Sequence, residues 1–284
     1  MLALLAAEAI ILVMLMGNSG HALQDAGVPP GLSGTIRIVG STSMEKLTCA
    51  LAECFMDKYP DVVVTVQFTG SSVGIEAVSD GSADIGISSR NLRDEEKSGG
   101  LVENVVAIDG IAVCVDGANP VTGLGRRELA DIYTGKITNW SDLGGADMPI
   151  VVVGREAGSG TRDTFEEALG IRDLCAYANE LEGMGTVMAR IAATPGAIGY
   201  VSFDMIKKEG STAGKGNVSA LALDGILPTA ENVKTGRYPL CQSFYMVTKG
   251  DISDQKELLQ AWFDFVYSKE GQDLAAAAGL VGVD

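Results

Sequence analysis

The chain has 284 residues, of which 46% are hydrophobic, and this is enough to bury the core of one or two compact units. Its 21 Lys and Arg residues stand against 37 Asp and Glu residues, and the resulting formal net charge of −16 disfavours nucleic-acid binding, which requires a basic surface. The single histidine is His21, and the five cysteines form no CxxC pair. Cleavage beyond His21 would therefore exclude Ser-His-Asp and Cys-His catalysis and any zinc site that needs imidazole.

The first 22 residues resemble a secretory signal, because an apolar run up to Met16 is followed by small residues that end at Ala22. An uncleaved anchor is the alternative, since no Lys or Arg precedes Arg37 and Glu8 interrupts the apolar run. We expect residues 1–22 to be a signal peptide or N-terminal anchor. Residues 23–34 contain Pro and Gly and are expected to form a tether.

Strand and helix patterns alternate after the tether. The predicted strands are residues 35–39, 62–68, 83–87 and 150–153, and the predicted helices are residues 44–58, 73–79, 128–133 and one that begins near Gly160. This alternation predicts an α/β fold with a largely parallel sheet. In such sheets, ligands bind outside the carboxyl ends of the strands.

Three glycine-serine turns, at residues 40–43, 70–72 and 158–161, each follow a predicted strand and open a predicted helix. A helix N-terminus carries unpaired N–H groups and a partial positive charge, glycine lets an oxyanion approach, and hydroxyls add donors. For any one turn, simple helix capping is the favoured interpretation. Because the pattern occurs three times, with Arg155 just before the third turn, we expect these turns to surround one tetrahedral anion.

The remaining polar and aromatic residues have ordinary interpretations. For Arg155, the alternative to a ligand contact is a surface ion pair with Glu156. Trp140 and Trp262 are expected to be packing aromatics, and the acidic runs at residues 94–96 and 166–167 are expected to be solvated helix faces. An enzyme acting on phosphate esters would need a nucleophile with a base or a metal held by carboxylates, and no such motif lies near the turns; the third turn also lacks the lysine of a P-loop.

Five segments in order resemble the phosphate-binding proteins of phosphate ABC transporters: residues 40–44, 70–75, 83–90, 129–140 and 154–162. The resemblance continues through residues 200–201 and 268–272 and so covers nearly all of the chain after the tether. It implies an α/β, two-lobed periplasmic-binding-protein fold (type II-like) with two hinge-crossing strands, near residues 112–116 and 240–246. Lobe I would comprise residues 35–114 and 243–284, and lobe II residues 115–242.

The resemblance also implies roles for individual residues. Thr42 would donate its hydroxyl and Ser43 its backbone N–H, Ser71 would donate from the second turn, and Arg155 would supply positive charge. The implied phosphate-binding residues are Ser41, Thr42, Ser43, Ser71, Ser72, Ser89, Arg155, Ser159, Gly160 and Thr161, with Arg90 and Glu156 as candidates for a supporting layer.

Ser89 departs from the family pattern. Some members have an aspartate at this place, which accepts the proton of bound phosphate and rejects sulfate, since sulfate has no proton to donate. A serine hydroxyl accepts and also donates, so it is expected to discriminate less. Arg90, the next residue, would either add a second positive contact or pair with an acidic residue.

We expect a non-enzymatic, extracytoplasmic and monomeric receptor that closes its lobes on inorganic phosphate and delivers it to the permease of an ABC transporter. No metal, organic cofactor or nucleic acid is expected. The alternatives are a receptor for another tetrahedral oxyanion and an anion sensor that acts through a protein partner.

Overall fold

The computed structural model describes residues 31–206 and 218–283, so the predicted signal or anchor and most of the tether lie outside the described residues. The strands are β1 Gly34–Gly40, β2 Val62–Phe68, β3 Ile85–Ser88, β4 Leu101–Asp116, β5 Gly123–Leu124, β6 Val151–Arg155, β7 Asn179–Leu181, β8 Ala197–Ser202, β9 Val218–Ala220, β10 Ala222–Leu223, β11 Cys241–Lys249 and β12 Val281–Gly282. The helices are α1 Glu45–Lys58, α2 Ser71–Asp80, α3 Asp94–Ser98, α4 Arg126–Tyr133, α5 Gly160–Leu169, α6 Met184–Ala193, α7 Ala230–Lys234, α8 Glu257–Tyr267 and α9 Lys269–Ala278. Each strand and helix expected from the sequence is present, with ends shifted by up to two residues.

One sheet runs through the described part of the molecule in the order β2-β1-β3-β11-β4-β8-β6-β7, with β9 and β12 also paired to β4. The expectation of a largely parallel sheet is wrong. The pairs β1–β2, β1–β3, β6–β7 and β6–β8 are parallel, whereas β3–β11, β4–β11, β4–β8, β4–β9 and β4–β12 are antiparallel. The difference arises because β4 and β11 run through the middle of the sheet in opposite directions.

Two hydrophobic halves lie on either side of this middle. The first half packs α1, α8 and α9 on one face of β1, β2 and β3 and α2 on the other, around residues that include Phe55, Ile87 and Trp262. The second half packs α4 and α5 on one face of β6 and β8 and α6 on the other, around residues that include Trp140 and Phe165. Both tryptophans are therefore packing residues, as expected, and each half contains one of them.

The strands β4 and β11 contribute to both halves. Within β4, Val106 and Ala107 pack in the first half, while Ile111 and the residues after it pack in the second. Within β11, Phe244 packs in the first half, while Cys241 packs against the second. The strands thus join the halves, as the hinge strands of the sequence analysis would. The lobe boundaries after residues 114 and 242 stay a prediction, because packing alone does not define which residues move together.

The five cysteines are free thiols. Cys241 on β11 lies opposite Gly110 on β4, four positions from Cys114 on the same strand, so the neighbouring strands do not bring the two sulfurs together as a disulfide.

Candidate functional site

The turns that follow β1, β2, β3 and β6 meet between the two halves, and their hydroxyl groups form one connected set. Ser41 Oγ donates to Ser89 Oγ over 3.0 Å, and Ser71 Oγ and Thr161 Oγ1 lie 3.4 Å and 3.3 Å from the same Ser89 oxygen. Ser43 Oγ lies 2.7 Å from Thr161 Oγ1. We call these five side chains the hydroxyl cluster. All five are buried, so their hydrogen-bonding capacity is directed at one another and at the space between the turns.

The helix N-termini expected to favour an anion are also present. Gly70 precedes α2 with φ +102°, and a Cβ atom there would lie 3.0 Å from Gly158 O of the third turn. Since Gly70 has no side chain, no side-chain oxygen caps α2, and among its first amides the Ser72 N–H donates to Gly158 O instead. Ser41 and Ser159 do act as caps, because Ser41 Oγ accepts from Ser43 N and Ser159 Oγ accepts from Arg162 N, each over 3.3 Å. The capping interpretation is thus correct for two of the three turns, and Ser41 combines it with membership of the hydroxyl cluster.

Arg155, the last residue of β6, is 1% exposed and reaches Thr42, which lies in the same turn as Ser41 and Ser43 of the cluster, from the second half. Its Nε donates to Glu156 Oε2 over 2.9 Å, and its Nη2 donates to Glu156 Oε1 and to Thr42 Oγ1, each over 2.8 Å. Nη1 is buried and has no partner among the described residues. A buried guanidinium nitrogen without an acceptor is costly. An oxyanion between the turns would supply that acceptor.

The backbone of Arg155 is held by a series of hydrogen-bonded side chains that the sequence did not predict. Its backbone N–H donates to Tyr200 OH over 3.4 Å, and Tyr200 OH lies 3.2 Å from Tyr177 OH, which donates to Glu166 Oε1 over 2.8 Å. The expectation that Glu166 is solvated is wrong: it is 3% exposed and also accepts from Arg162 Nε over 2.8 Å. A buried carboxylate with an arginine and a tyrosine as donors is satisfied, and a sequence pattern carries no signal of it.

Arg90 is also buried, but it serves a different set of partners. Its Nη1 and Nη2 donate to Glu96 over 2.9 Å and 2.8 Å, and its Nε lies 3.2 Å from Asp163 Oδ2. Burial lowers the pKa of the guanidinium, but the hydrogen bond and charge of Glu96 and the charge of Asp163 outweigh it, so the pKa is raised. Of the two roles left open for Arg90, the structure therefore shows pairing with acidic residues. Glu96 is correspondingly part of an ion pair, which corrects the expectation of solvation for this residue, whereas Asp94 and Glu95 are exposed, as expected.

The other candidate residues lie beside the cluster. Ser72 donates its backbone N–H to Gly158 O over 3.2 Å, which links the second turn to the third. A Cβ atom on Gly160 would clash with Ser71 Oγ and come within 2.8 Å of Ser89 Oγ, so a larger residue at the start of α5 would force these side chains to shift. Glu156 supports Arg155 as described. The structure thus brings the ten candidate binding residues into one region, and whether each contacts a ligand stays a prediction.

The residues 31–206 and 218–283 contain no group of three or more His, Cys, Asp or Glu side chains arranged to hold a metal ion. Within the same residues, no helix combines the length and the apolar composition of a membrane span.

Comparison with known proteins relates this chain to a protein family. Residues 28–270 match the model of a PBP superfamily domain. A phosphate-binding protein PstS of Bacillus subtilis is 36% identical over 287 aligned positions, which cover 95% of this chain and 89% of the relative. A putative phosphate ABC transporter substrate-binding protein of Clostridium perfringens, solved with bound phosphate, is 40% identical with a TM-score of 0.82, covering 88% of this chain and all of the other. An ABC-type phosphate transport receptor of Vibrio cholerae is 32% identical with a TM-score of 0.73, covering 87% of this chain and all of the other.

The fold and the buried cluster between its two halves define a binding protein of the PBP superfamily. The α/β periplasmic-binding-protein fold expected from the sequence is thereby confirmed. The chain belongs to the family of phosphate-binding proteins of phosphate ABC transporters, as the resemblance of its motifs implied.

Proposed function

We propose that this protein binds inorganic phosphate between its two halves, outside the cytoplasm, and delivers it to the permease of an ABC transporter. The observation that carries the proposal is the buried, unpartnered Nη1 of Arg155, whose Nη2 donates to Thr42 Oγ1 in the same turn as Ser41 and Ser43 of the hydroxyl cluster. A tetrahedral oxyanion accepts hydrogen bonds on every oxygen, so it satisfies this arginine and the hydroxyl donors together.

The net charge of −16 is compatible with this proposal. Charges farther away than about 8 Å are largely screened at physiological salt, whereas a guanidinium and oriented dipoles at contact act on the anion directly. The protein's charge therefore slows encounter with an anion more than it weakens the bound state.

Binding couples to closure of the cleft. Ser41, Thr42, Ser43, Ser71 and Ser89 belong to the first-half side of the site, whereas Arg155 and Thr161 belong to the second-half side. An anion that touches both sides stabilises the closed form, because only the closed form offers all of the contacts. The function proposed is that of a monomeric receptor without catalysis, which acts without a metal or organic cofactor.

Calorimetric titration tests the proposal. The purified protein, freed of bound ligand by unfolding and refolding, is titrated with phosphate and, in parallel, with sulfate at neutral pH. One-to-one phosphate binding is expected. Absence of binding for both anions would contradict the proposal.

The titration with sulfate also tests a second candidate, a general receptor for tetrahedral oxyanions. Ser89 favours this candidate, because it places a hydroxyl where some family members have the carboxylate that rejects sulfate. Comparable binding of the two anions would support it, whereas binding of phosphate alone would show that selectivity persists without that carboxylate.

The transport step is tested in cells. Disruption of the gene is expected to lower uptake of radiolabelled phosphate at low external concentration, and the wild-type gene is expected to restore it. A gene that carries Arg155→Ala should not. Unchanged uptake in the disrupted strain, in the absence of a second phosphate receptor, would favour a sensor that acts through another protein.

A further inference from the structure

The first turns of α5 contact the first half through three side chains, and only one of the three, Asp163, forms ion pairs. Thr161 Oγ1 lies 2.7 Å from Ser43 Oγ, and Thr164 Oγ1 donates to Ser89 O over 3.0 Å. Asp163, between these two threonines, places its Oδ2 3.2 Å from Arg90 Nε and 3.4 Å from Arg93 Nη2. Phe165 anchors the same helix in the core of the second half. The Asp163 pairs therefore span the two halves, and opening of the cleft would separate them.

We propose that Asp163, held between Arg90 and Arg93, is a positioning residue that keeps the cleft closed and sets how long the anion remains bound. This inference rests on the proposed function for its ligand, and it adds a residue that does not touch the ligand. We call the ion pairs of Asp163 with Arg90 and Arg93 the latch, and they lie at the edge of the site.

Partial burial makes the latch stronger than an ordinary surface pair. The side chain of Arg90 is 5% exposed and that of Asp163 is 18% exposed, so water screens their interaction less than it screens the half-exposed Arg93. Burial raises the pKa of Asp163, and the charges of Arg90 and Arg93 act in the opposite direction. The carboxylate thus gains most from its arginine partners in the closed form.

Arg90 does not depend on Asp163 alone to compensate its buried charge. Arg90 keeps the two hydrogen bonds of Glu96 when Asp163 is removed, so its buried charge is not left uncompensated. The loss of Asp163 should therefore open the cleft without unfolding the surrounding loop. This makes Asp163→Asn an interpretable variant.

The latch acts after encounter, since it forms only as the halves meet. Its removal should raise the release rate and leave the association rate nearly unchanged. Protein loaded with radiolabelled phosphate is chased with excess unlabelled phosphate, and association is followed by rapid mixing. Release from Asp163→Asn is expected to be about tenfold faster, a value between those for exposed and buried pairs. Asp163→Glu, which keeps the charge, should lie closer to the wild type.

The salt dependence of the release rate distinguishes the latch from a merely structural role of Asp163. Added sodium chloride screens the exposed side of the latch, so it should speed release from the wild type more than from Asp163→Asn. The matched control is Glu257→Gln, which removes an exposed acidic residue from the first turn of α8, away from the cleft. That variant should release phosphate at the wild-type rate.

The Ser72 amide reports closure without any ligand, because its N–H donates to Gly158 O across the cleft. Its hydrogen exchange in anion-free protein is expected to be faster in Asp163→Asn than in the wild type. If the wild type binds no phosphate, the proposed function fails while this measurement still decides whether the latch exists. Wild-type values for release and for Ser72 exchange in a folded Asp163→Asn protein would overturn the inference. Should that variant not fold, Arg93→Gln replaces it, with release expected to be about two- to threefold faster and an unchanged rate again overturning the latch.

Discussion

The regions around Arg155 and Arg90 each contain a buried arginine, yet their carboxylate partners differ. Arg155 has one carboxylate, Glu156, and its Nη1 remains without a partner among the described residues. Arg90 lies between two carboxylates, Glu96 and Asp163. Arg90 Nε also makes no hydrogen bond within the described residues, but it lies 3.2 Å from Asp163 Oδ2, so a carboxylate already occupies the position that an anion would take. The comparison teaches that the number and placement of acidic neighbours, more than the arginine itself, separates an anion site from a structural ion pair.

The largest expected effect comes from removing the available arginine. Arg155→Ala leaves a bound anion with only neutral donors, and it should weaken phosphate binding by roughly 2–5 kcal/mol, which is about 30-fold to several-thousand-fold. Calorimetric titration measures the change, and circular dichroism checks that the variant is folded. Undiminished affinity in a folded variant would contradict the placement of the anion at Arg155.

Asp109 is the opposite case to the two buried arginines, because it is a buried carboxylate without an ion-pair partner among the described residues. It lies on β4, 1% exposed, and accepts from Gln242 Nε2 over 2.7 Å. Burial, and then the charge of Asp204, raise its pKa from 3.8 to about 7. The folded protein therefore binds a proton that the unfolded chain has released between about pH 4 and pH 7. The stability from this group is present below that window and is lost as the pH rises through it.

Asp109→Asn should remove this pH dependence, because asparagine is neutral at every pH. At about 1.4 kcal/mol per pKa unit, the free energy of unfolding of the variant relative to the wild type should be higher at pH 8 than at pH 4, by as much as roughly 4 kcal/mol. Urea unfolding at the two pH values measures the difference. Equal differences at both would show that Asp109 does not hold a proton at low pH.

A moderate effect is expected when a methyl group fills the space beside the hydroxyl cluster. The added methyl of Gly160→Ala would clash with Ser71 Oγ, and overpacking of this kind costs roughly 1–3 kcal/mol, so phosphate binding should weaken about 5- to 150-fold. The matched control is Gly158→Ala in the same turn, where no atom lies within 4 Å of the added carbon. Equal affinities of the two variants would mean that closure does not bring α5 against Ser71.

The smallest expected effect is a change in anion selectivity, produced by adding a carboxylate to the hydroxyl cluster. Ser89→Asp should reject sulfate by facing it with a second negative charge, while the P–OH group of phosphate donates a hydrogen bond to the new carboxylate. The ratio of phosphate to sulfate affinity should rise at least about tenfold, or about 1.4 kcal/mol. Ser89→Asn, which has nearly the same shape without charge, is the control. A ratio that is the same in both variants would show that Ser89 does not face the anion.

The sequence predicted the strands and helices because their apolar periods are regular, and it predicted the turns because glycine, serine and threonine recur after strands. It did not predict the antiparallel centre of the sheet, since strand direction depends on how distant segments meet. It placed Arg155 and the hydroxyls around one anion through the recurring turns, and the resemblance to a family added the roles of individual residues. The pairing of Asp163 with Arg90 and the burial of Glu166 depend on side chains that meet across the fold, and local spacing contains no signal for them.

The placement of one tryptophan in each half has a practical consequence. Trp140 is 1% exposed and Trp262 is fully buried, so the fluorescence of each indole reports the solvent exposure of a different core. A protein that keeps only Trp262 would follow the melting of the first half, and one that keeps only Trp140 would follow the second. Coincident transitions would mean that β4 and β11 couple the halves into one cooperative unit, whereas separate transitions would mean that each half can lose its structure while the other remains intact.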